Sequence, residues 1–161
     1  MAIEIRPFEA ADKEAVVALS LRAWQPVFEK LQPAVPAYVY GAFYPDGWQA
    51  RQAADVAALL EQEAGHVRVA VEGDTIVGWV GMRLHPEDQM GEIHILAVDP
   101  QAQRRGIATT LMQAAMAEML AAGMAIVMVE TGDDPGHAPS RATYEQAGFE
   151  RWPVARYFRA L

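Results

Sequence analysis

The chain has 161 residues, 52% hydrophobic and 21% charged, the balance of a globular domain with apolar residues enough for one core. A formal net charge of −8 argues against a general nucleic-acid binder and suits a cationic or amine partner. The absence of cysteine excludes disulfides, thiolate metal ligands and an enzyme-thiol intermediate, and His66, His85, His94 and His137 lack metal-ligand spacing, so no metal is expected. No apolar run has transmembrane length and the opening M-A-I-E-I-R-P-F has no signal-peptide core, so a cytoplasmic protein away from membranes is expected. Ser20 and Ser140 are the only serines, and neither sits in a nucleophile-elbow pattern.

Residues 3–6 alternate apolar and charged side chains and read as a first strand. Asp12 is the expected N-cap of a helix running to about Trp24, with Ala15, Val16, Leu19 and Ala23 on one face. Residues 25–47 carry Pro26, Pro33, Pro36 and Pro45 among aromatic side chains, so helix there is expected only in short pieces. A second helix is predicted over 48–63. Residues 66–72 and 75–84 read as strands joined by the turn Glu72-Gly73-Asp74.

Residues 92–98 form the strongest strand pattern, stopped at Asp99-Pro100. A period of two places Glu92, His94, Leu96 and Val98 on one side, with Ile93, Ile95 and Ala97 on the other. The following helix is predicted from about Gln103 to Ala122, burying Leu111, Met112, Ala115, Met119 and Leu120 and stopping at Gly123. Met112, Met116 and Met119 read as core filler. Residues 124–130 read as a buried central strand, and 139–147 as a short helix closed by Gly148. The tail, 149–161, reads as one or two short strands interrupted by Pro153. With no repeat or linker, residues 1–161 are read as a single mixed α/β domain around one central sheet.

Between the strongest strand and its helix lies V-D-P-Q-A-Q-R-R-G-I-A, residues 98–108. Gln103, Gly106 and Ala108 have the spacing Q-x-x-G-x-A, at which backbone N–H groups can turn toward an anion at a helix N-terminus. Arg104 and Arg105 are the only charged residues between Pro100 and Ala117. The segment points to a pyrophosphate-bearing cofactor. It is not a Rossmann fingerprint, because no G-x-G-x-x-G follows the first strand.

Three segments, I-H-I-L-A-V-D-P from Ile93, Q-R-R-G-I-A from Gln103 and Y-E-Q-A-G-F from Tyr144, resemble the GNAT superfamily of acetyl-coenzyme A-dependent N-acetyltransferases. The order of elements agrees, so the resemblance covers nearly the whole chain. It implies the GNAT acyl-CoA N-acyltransferase fold, a twisted mixed central sheet with helices on both faces and a V-shaped splay between strands 4 and 5. It implies that Leu96 and Val98 offer main-chain groups to the pantetheine arm. It also implies that Gln103, Arg104, Arg105, Gly106, Ile107, Ala108 and Thr109 hold the pyrophosphate. His137 stands where many members carry a cofactor-contacting asparagine, and Tyr144 matches the tyrosine that approaches the cofactor sulfur. The implied activity is transfer of an acetyl group from acetyl-CoA to an amine.

Direct transfer needs an amine that loses a proton, a stabilised carbonyl oxygen and a protonated leaving thiolate. Without cysteine there is no ping-pong route, so direct attack in a ternary complex is expected. Tyr144 is the candidate acid. Glu92 is the candidate base, with His94 as its competitor because imidazole titrates nearer neutrality. Asp133 and Asp134 could bind a cationic acceptor, and Trp24, Phe28, Tyr38, Tyr40 and Phe43 could line its site. The expected partner is a small-molecule amine or a peptide amine, with a homodimer left open. Two other readings stand beside this one: a non-catalytic acyl-CoA-binding sensor or assembly module of the same fold, and a protein N-terminal or lysine acetyltransferase.

Overall fold

The computed structural model describes residues 2–161. They fall into two compact units, one of residues up to 23 with 52–130, the other of residues 24–51 with 131–161. Five helices are described: α1 (Lys13–Leu31), α2 (Ala37–Phe43), α3 (Trp48–Gln62), α4 (Ile107–Ala121) and α5 (Ala138–Gln146). No described helix is long and apolar enough to cross a membrane.

The first unit contains a five-stranded sheet of β1 (Ile3–Pro7), β2 (Val67–Glu72), β3 (Thr75–His85), β4 (Met90–Val98) and β5 (Ile126–Val129). Spatial order follows chain order. The first four strands pair antiparallel, and β5 joins β4 in parallel. That parallel step needs a long crossover, which α4 supplies. The turn read at Glu72-Gly73-Asp74 is present between β2 and β3. β5 is an edge strand, not a buried central one: none of its residues is fully buried, and Ile126 is 59% exposed.

Helices cover both faces of the sheet. On one face α4 lies close, because a Cβ at Gly78 would press on Leu111 at 3.1 Å and Ile107 at 3.2 Å, and one at Gly91 would strike Met119. The α4 stripe is Ile107, Leu111, Met112, Ala115 and Met119. Leu120, expected in that stripe, is 75% exposed, since it lies a full helical step round from Met119. On the other face a Cβ at Gly81 would strike Leu59 of α3. The Trp79 indole there donates from Nε1 to Ser20 Oγ of α1 at 2.9 Å, and the Ser20 hydroxyl donates to Val16 O at 2.7 Å.

The strongest strand is not regular. In the β3–β4 ladder Gly81 faces Ile95, but its neighbour Met82 faces Ile93, so His94 is an extra, bulged residue. The simple alternation expected for residues 92–98 therefore fails. Val98 pairs with Gly78 on the α4 face, and Ile93 shares that face with Gly91. Glu92 is on the opposite face, with Ile95 and Ala97, and so does not share a side with Leu96 and Val98. Pairing to β5 stops at the same place, because Met90–Ile93 match Ile126–Val129 and the ladder ends there. Among the described residues, β4 runs on to Val98 without a strand on that edge.

The start of α1 also differs from expectation. Asp12 closes a 3-10 turn over Ala10–Asp12 that is capped by Glu9. Its carboxylate accepts from Glu9 N at 2.8 Å and from both terminal nitrogens of Arg6 at 2.8 and 2.9 Å. Asp12 thus ties β1 to the helix entry.

In the second unit α1 runs through Pro26 to Leu31, beyond the predicted stop near Trp24. Phe28, buried on this extension, stacks on Trp48 at 4.5 Å and meets Tyr44 edge-on at 5.2 Å. Burying a phenylalanine gains about 2–3 kcal/mol, comparable to the roughly 3 kcal/mol that an internal proline costs a helix. The tail forms no strand. Trp152 and Tyr157 are 85% and 90% exposed, and Phe158 packs edge-on against Phe43 at 5.8 Å instead. Pro153 removes a ladder donor from the tail.

Replacing Ser20 with alanine leaves the buried Trp79 N–H without its acceptor. Urea unfolding of Ser20→Ala is expected to show a loss of about 1–3 kcal/mol.

Candidate functional site

The segment between β4 and α4 is held at both ends and open in its middle. Ala102 and Ile107 are buried, while Gln103, Arg104, Arg105 and Gly106 are exposed between them. Asp99 fixes the entry. Its Oδ1 accepts from Gln101 N at 3.0 Å, and its Oδ2 accepts from Arg22 Nη2 at 2.6 Å and Nε at 3.0 Å. Burial would raise the Asp99 carboxyl, but the Arg22 guanidinium and the Gln101 N–H outweigh it and hold the group below the usual carboxylate range. The Gln103 side-chain amide donates back to Val98 O at 3.3 Å, bracing the loop against the strand end.

Two residues here have left-handed backbone, Arg104 at φ +60° and Gly106 at φ +78°. For that reason α4 begins at Ile107 and not near Gln103. Gly106 is the N-cap residue and supplies no side-chain cap. Thr110 N bonds to Gly106 O at 3.0 Å, which leaves the first-turn N–H groups of Ile107, Ala108 and Thr109 as the helix's uncapped donors. A Cβ built on Gly106 would meet no atom within 4 Å. Open space in front of uncapped helix N–H groups suits a phosphate.

The two arginines differ. Arg105 is paired with Glu72 of β2 at 2.5 and 3.2 Å, and that contact holds the Glu72 carboxyl below its usual range. Arg105 therefore anchors the loop to the sheet, and its charge is partly answered. Arg104 is exposed.

At the point where β4 and β5 part, Glu92 sits between two imidazoles. Its Oε2 is 2.8 Å from His85 Nε2, and its Oε1 is 3.3 Å from His94 Nδ1. Arg83, in register with Glu92, places Nη1 3.5 Å from the same His94 nitrogen, and Glu87 Oε1 lies 3.7 Å from His85 Nδ1. Only 16% of the Glu92 side chain is exposed. Burial would raise its carboxyl, yet the hydrogen bonds from His85 and His94 prevail and hold it below the usual range. His85 was not singled out by the sequence. Its position at the end of β3 is ordinary, and only the β3–β4 register brings it to Glu92.

Tyr144 and His137 belong to the second unit. Tyr144 is half-buried, its ring edge-on to Phe149 at 5.8 Å, and burial pushes its phenol up to about 12. His137 ends a 3-10 turn, Pro135–His137, that leads into α5. Its Nδ1 is 2.6 Å from Asp134 Oδ2, and Asp134 Oδ1 accepts from Gly136 N at 2.8 Å and His137 N at 3.3 Å. Burial would raise the Asp134 carboxyl, but His137 and the two backbone donors outweigh it. Asp133 is bound by Arg151 at 2.6 Å. Both aspartates are thus engaged within the unit. Of the aromatic residues, Phe28 is core, while Arg51 lies over Phe43 at 5.1 Å, so these rings are already occupied.

The family model described as acetyltransferase (GNAT) family matches residues 24–149. A mycothiol acetyltransferase of Saccharopolyspora erythraea is 29% identical over 152 residues, 89% of this chain and 48% of that protein. One from Actinosynnema mirum is 29% identical over 156 residues, 93% of this chain and 45% of that protein. The chain spans about half the length of these curated relatives. The PaiA N-acetyltransferase of Thermoplasma acidophilum, crystallised with coenzyme A, shares the fold with a TM-score of 0.77 at 16% identity, covering 96% of this chain and 94% of that one. The aminoglycoside N-acetyltransferase AAC(6')-Iy, also crystallised with coenzyme A, gives 0.63 at 16% identity over 99% and 95%.

Gly106→Ala tests the loop conformation, since the added methyl meets open space and only the left-handed backbone resists it. The variant is expected to lose about 1 kcal/mol of stability in urea unfolding. Unchanged stability would contradict the left-handed cap.

Proposed function

The chain belongs to the GNAT acetyltransferase family, and we propose that it transfers an acetyl group from acetyl-CoA to an amine by direct attack in a ternary complex. The observation that carries this reading is the uncapped α4 N-terminus behind open space at Gly106, beside a β4 edge that β5 has left. Bound acetyl-CoA supplies the activated thioester; everything else falls to the chain. The N–H groups of Ile107, Ala108 and Thr109 would hold the pyrophosphate, with Arg104 adding charge. Ala108 has a side chain short enough to keep that approach open. Arg105 and Gln103 position the loop through Glu72 and Val98 O. Main-chain groups of Leu96 and Val98 would meet the pantetheine amides. His137, oriented at Nδ1 by Asp134, has Nε2 to offer the cofactor. The 161 residues are proposed to work as one acetyltransferase domain.

Glu92 is proposed to serve the removal of the proton from the acceptor nitrogen. Tyr144 is proposed to serve the leaving thiolate. A phenol pushed up to about 12 keeps its proton at neutral pH. Full transfer to a thiolate, whose thiol has a reference pKa near 8.5, runs uphill by roughly 4–5 kcal/mol. Its contribution is therefore a hydrogen bond donated as negative charge develops on sulfur, with solvent completing the protonation.

The acceptor is proposed to be a small cationic amine, favoured by the net charge of −8. The named relatives and structural neighbours include mycothiol and aminoglycoside acetyltransferases, which supports an amine on a small polar molecule. A thiol-release assay against polyamines, aminoglycosides, amino acids and peptide N-termini tests this choice. Release with the small cationic amines is expected. Tight acetyl-CoA binding with no release across the panel would favour a non-catalytic binder, and preference for peptides would favour a protein acetyltransferase.

With an accepted amine, Tyr144→Phe is expected to lower kcat by about 10²-fold, with acetyl-CoA affinity little changed. Equal turnover under chemistry-limited conditions would remove Tyr144 from the mechanism.

A further inference from the structure

Glu92 is poorly placed to keep a proton. Both of its oxygens face imidazole nitrogens, at 2.8 Å from His85 and 3.3 Å from His94, and its side chain is only 16% exposed. The two histidines hold its carboxyl below the usual carboxylate range even against burial. A carboxylate so held is a weak base but a strong orienting group. In a carboxylate–imidazole pair the carboxylate fixes one ring N–H, leaving the far nitrogen's lone pair to take a proton and stabilising the imidazolium that forms.

His94 has the geometry for that role. Its Nδ1 cannot accept from Arg83 at 3.5 Å and donate to Glu92 at 3.3 Å at once. The ionised carboxylate is nearer, so Nδ1 carries the proton and Nε2 carries the lone pair. As the bulged residue of β4, His94 stands where the β5 ladder has just ended, and it is exposed. His85 differs. Its Nε2 is turned to Glu92 and its Nδ1 toward Glu87, so both nitrogens have carboxylate neighbours.

We infer that His94 Nε2 takes the amine's proton, with Glu92 orienting His94 and His85 holding Glu92 in place. The inference rests on the amine-acetylation reading above and deepens it. As the nitrogen–carbon bond forms and the carbon–sulfur bond breaks, the electron pair of the broken bond leaves with sulfur. A cationic acceptor gives up two protons in all. One leaves the ammonium for Nε2 before attack, freeing the nitrogen lone pair, and passes on to solvent. The second leaves nitrogen for solvent as the amide forms and is matched by the proton that solvent returns to sulfur. Charged groups around the ring are Glu92 on its own strand and Arg83 on β3; Glu87 and His85 act at one remove, through Glu92. Arg83 opposes the imidazolium, and Glu92 supports it.

The test combines kinetics with a readout that needs no turnover. For the wild type, kcat/KM against pH should fall on the acid side as the base becomes protonated. His94→Gln should lose that limb and lower kcat by about 10²-fold while leaving KM for acetyl-CoA nearly unchanged. Added imidazole should restore part of the rate of His94→Ala. His85→Gln, a change at a positioning residue, should keep the limb and lower kcat by only a few-fold. Nitrogen-15 spectra of the His94 ring should show the proton on Nδ1 in the wild type and a mixture of tautomers in Glu92→Gln. His94→Gln with the limb intact and kcat within about threefold would overturn the inference, as would a proton on Nε2. Absence of acetylation with any amine would instead count against the proposed function, while the spectra still decide the pairing of His94 with Glu92.

Discussion

One extra residue in β4 governs the arrangement of this sheet. Because His94 is bulged, Ile93 and Val98 both face α4 although five positions separate them, and Glu92 is turned to the other face. A regular strand would put Ile93 and Val98 on opposite faces and break either the α4 core or the site. The same residue marks the end of pairing with β5. A bulge twists and bends its strand, and from His94 onward β4 has no β5 partner among the described residues. The core on one side and the carboxylate–imidazole group on the other both depend on it.

The loop between β4 and α4 is built on a second constraint, the left-handed backbone at Arg104 and Gly106. Those two residues stop α4 from starting early, and they leave its first N–H groups uncapped behind open space. Side-chain charge plays a smaller part than the paired arginines suggest, since Arg105 is bound to Glu72. Ion pairs around the loop instead fix it in place: Arg22 to Asp99 at the entry, Arg105 to Glu72 at the exit.

Much of this is legible in the sequence. The strand and stop at Asp99-Pro100, the glycine at Gly106 and the Tyr144 segment are local signals, each set by a few neighbouring residues, and together they identified the family. Several expectations failed where residues found other partners. α1 continues through Pro26 because Phe28 finds Trp48 and Tyr44. Asp12 serves Arg6 and Glu9 and does not cap α1. The run 124–130 became an edge strand because nothing follows β5 in the sheet. The tail gave its Phe158 to Phe43 and formed no strand. The α1 extension and the tail each turned on a partner distant in sequence.

The site divides in the same way. The sequence alone determined the order of strands and helices from β2 to α5, the glycine loop between β4 and α4 and the candidacy of Glu92, because turns and strand patterns are written in residues a few positions apart. Only the tertiary structure decided which way Glu92 faces, that His85 and His94 hold its two oxygens, and that Arg105 is already engaged. Those facts depend on strand register, and register is set by the summed packing of both sheet faces, where a single inserted residue reverses every side chain beyond it.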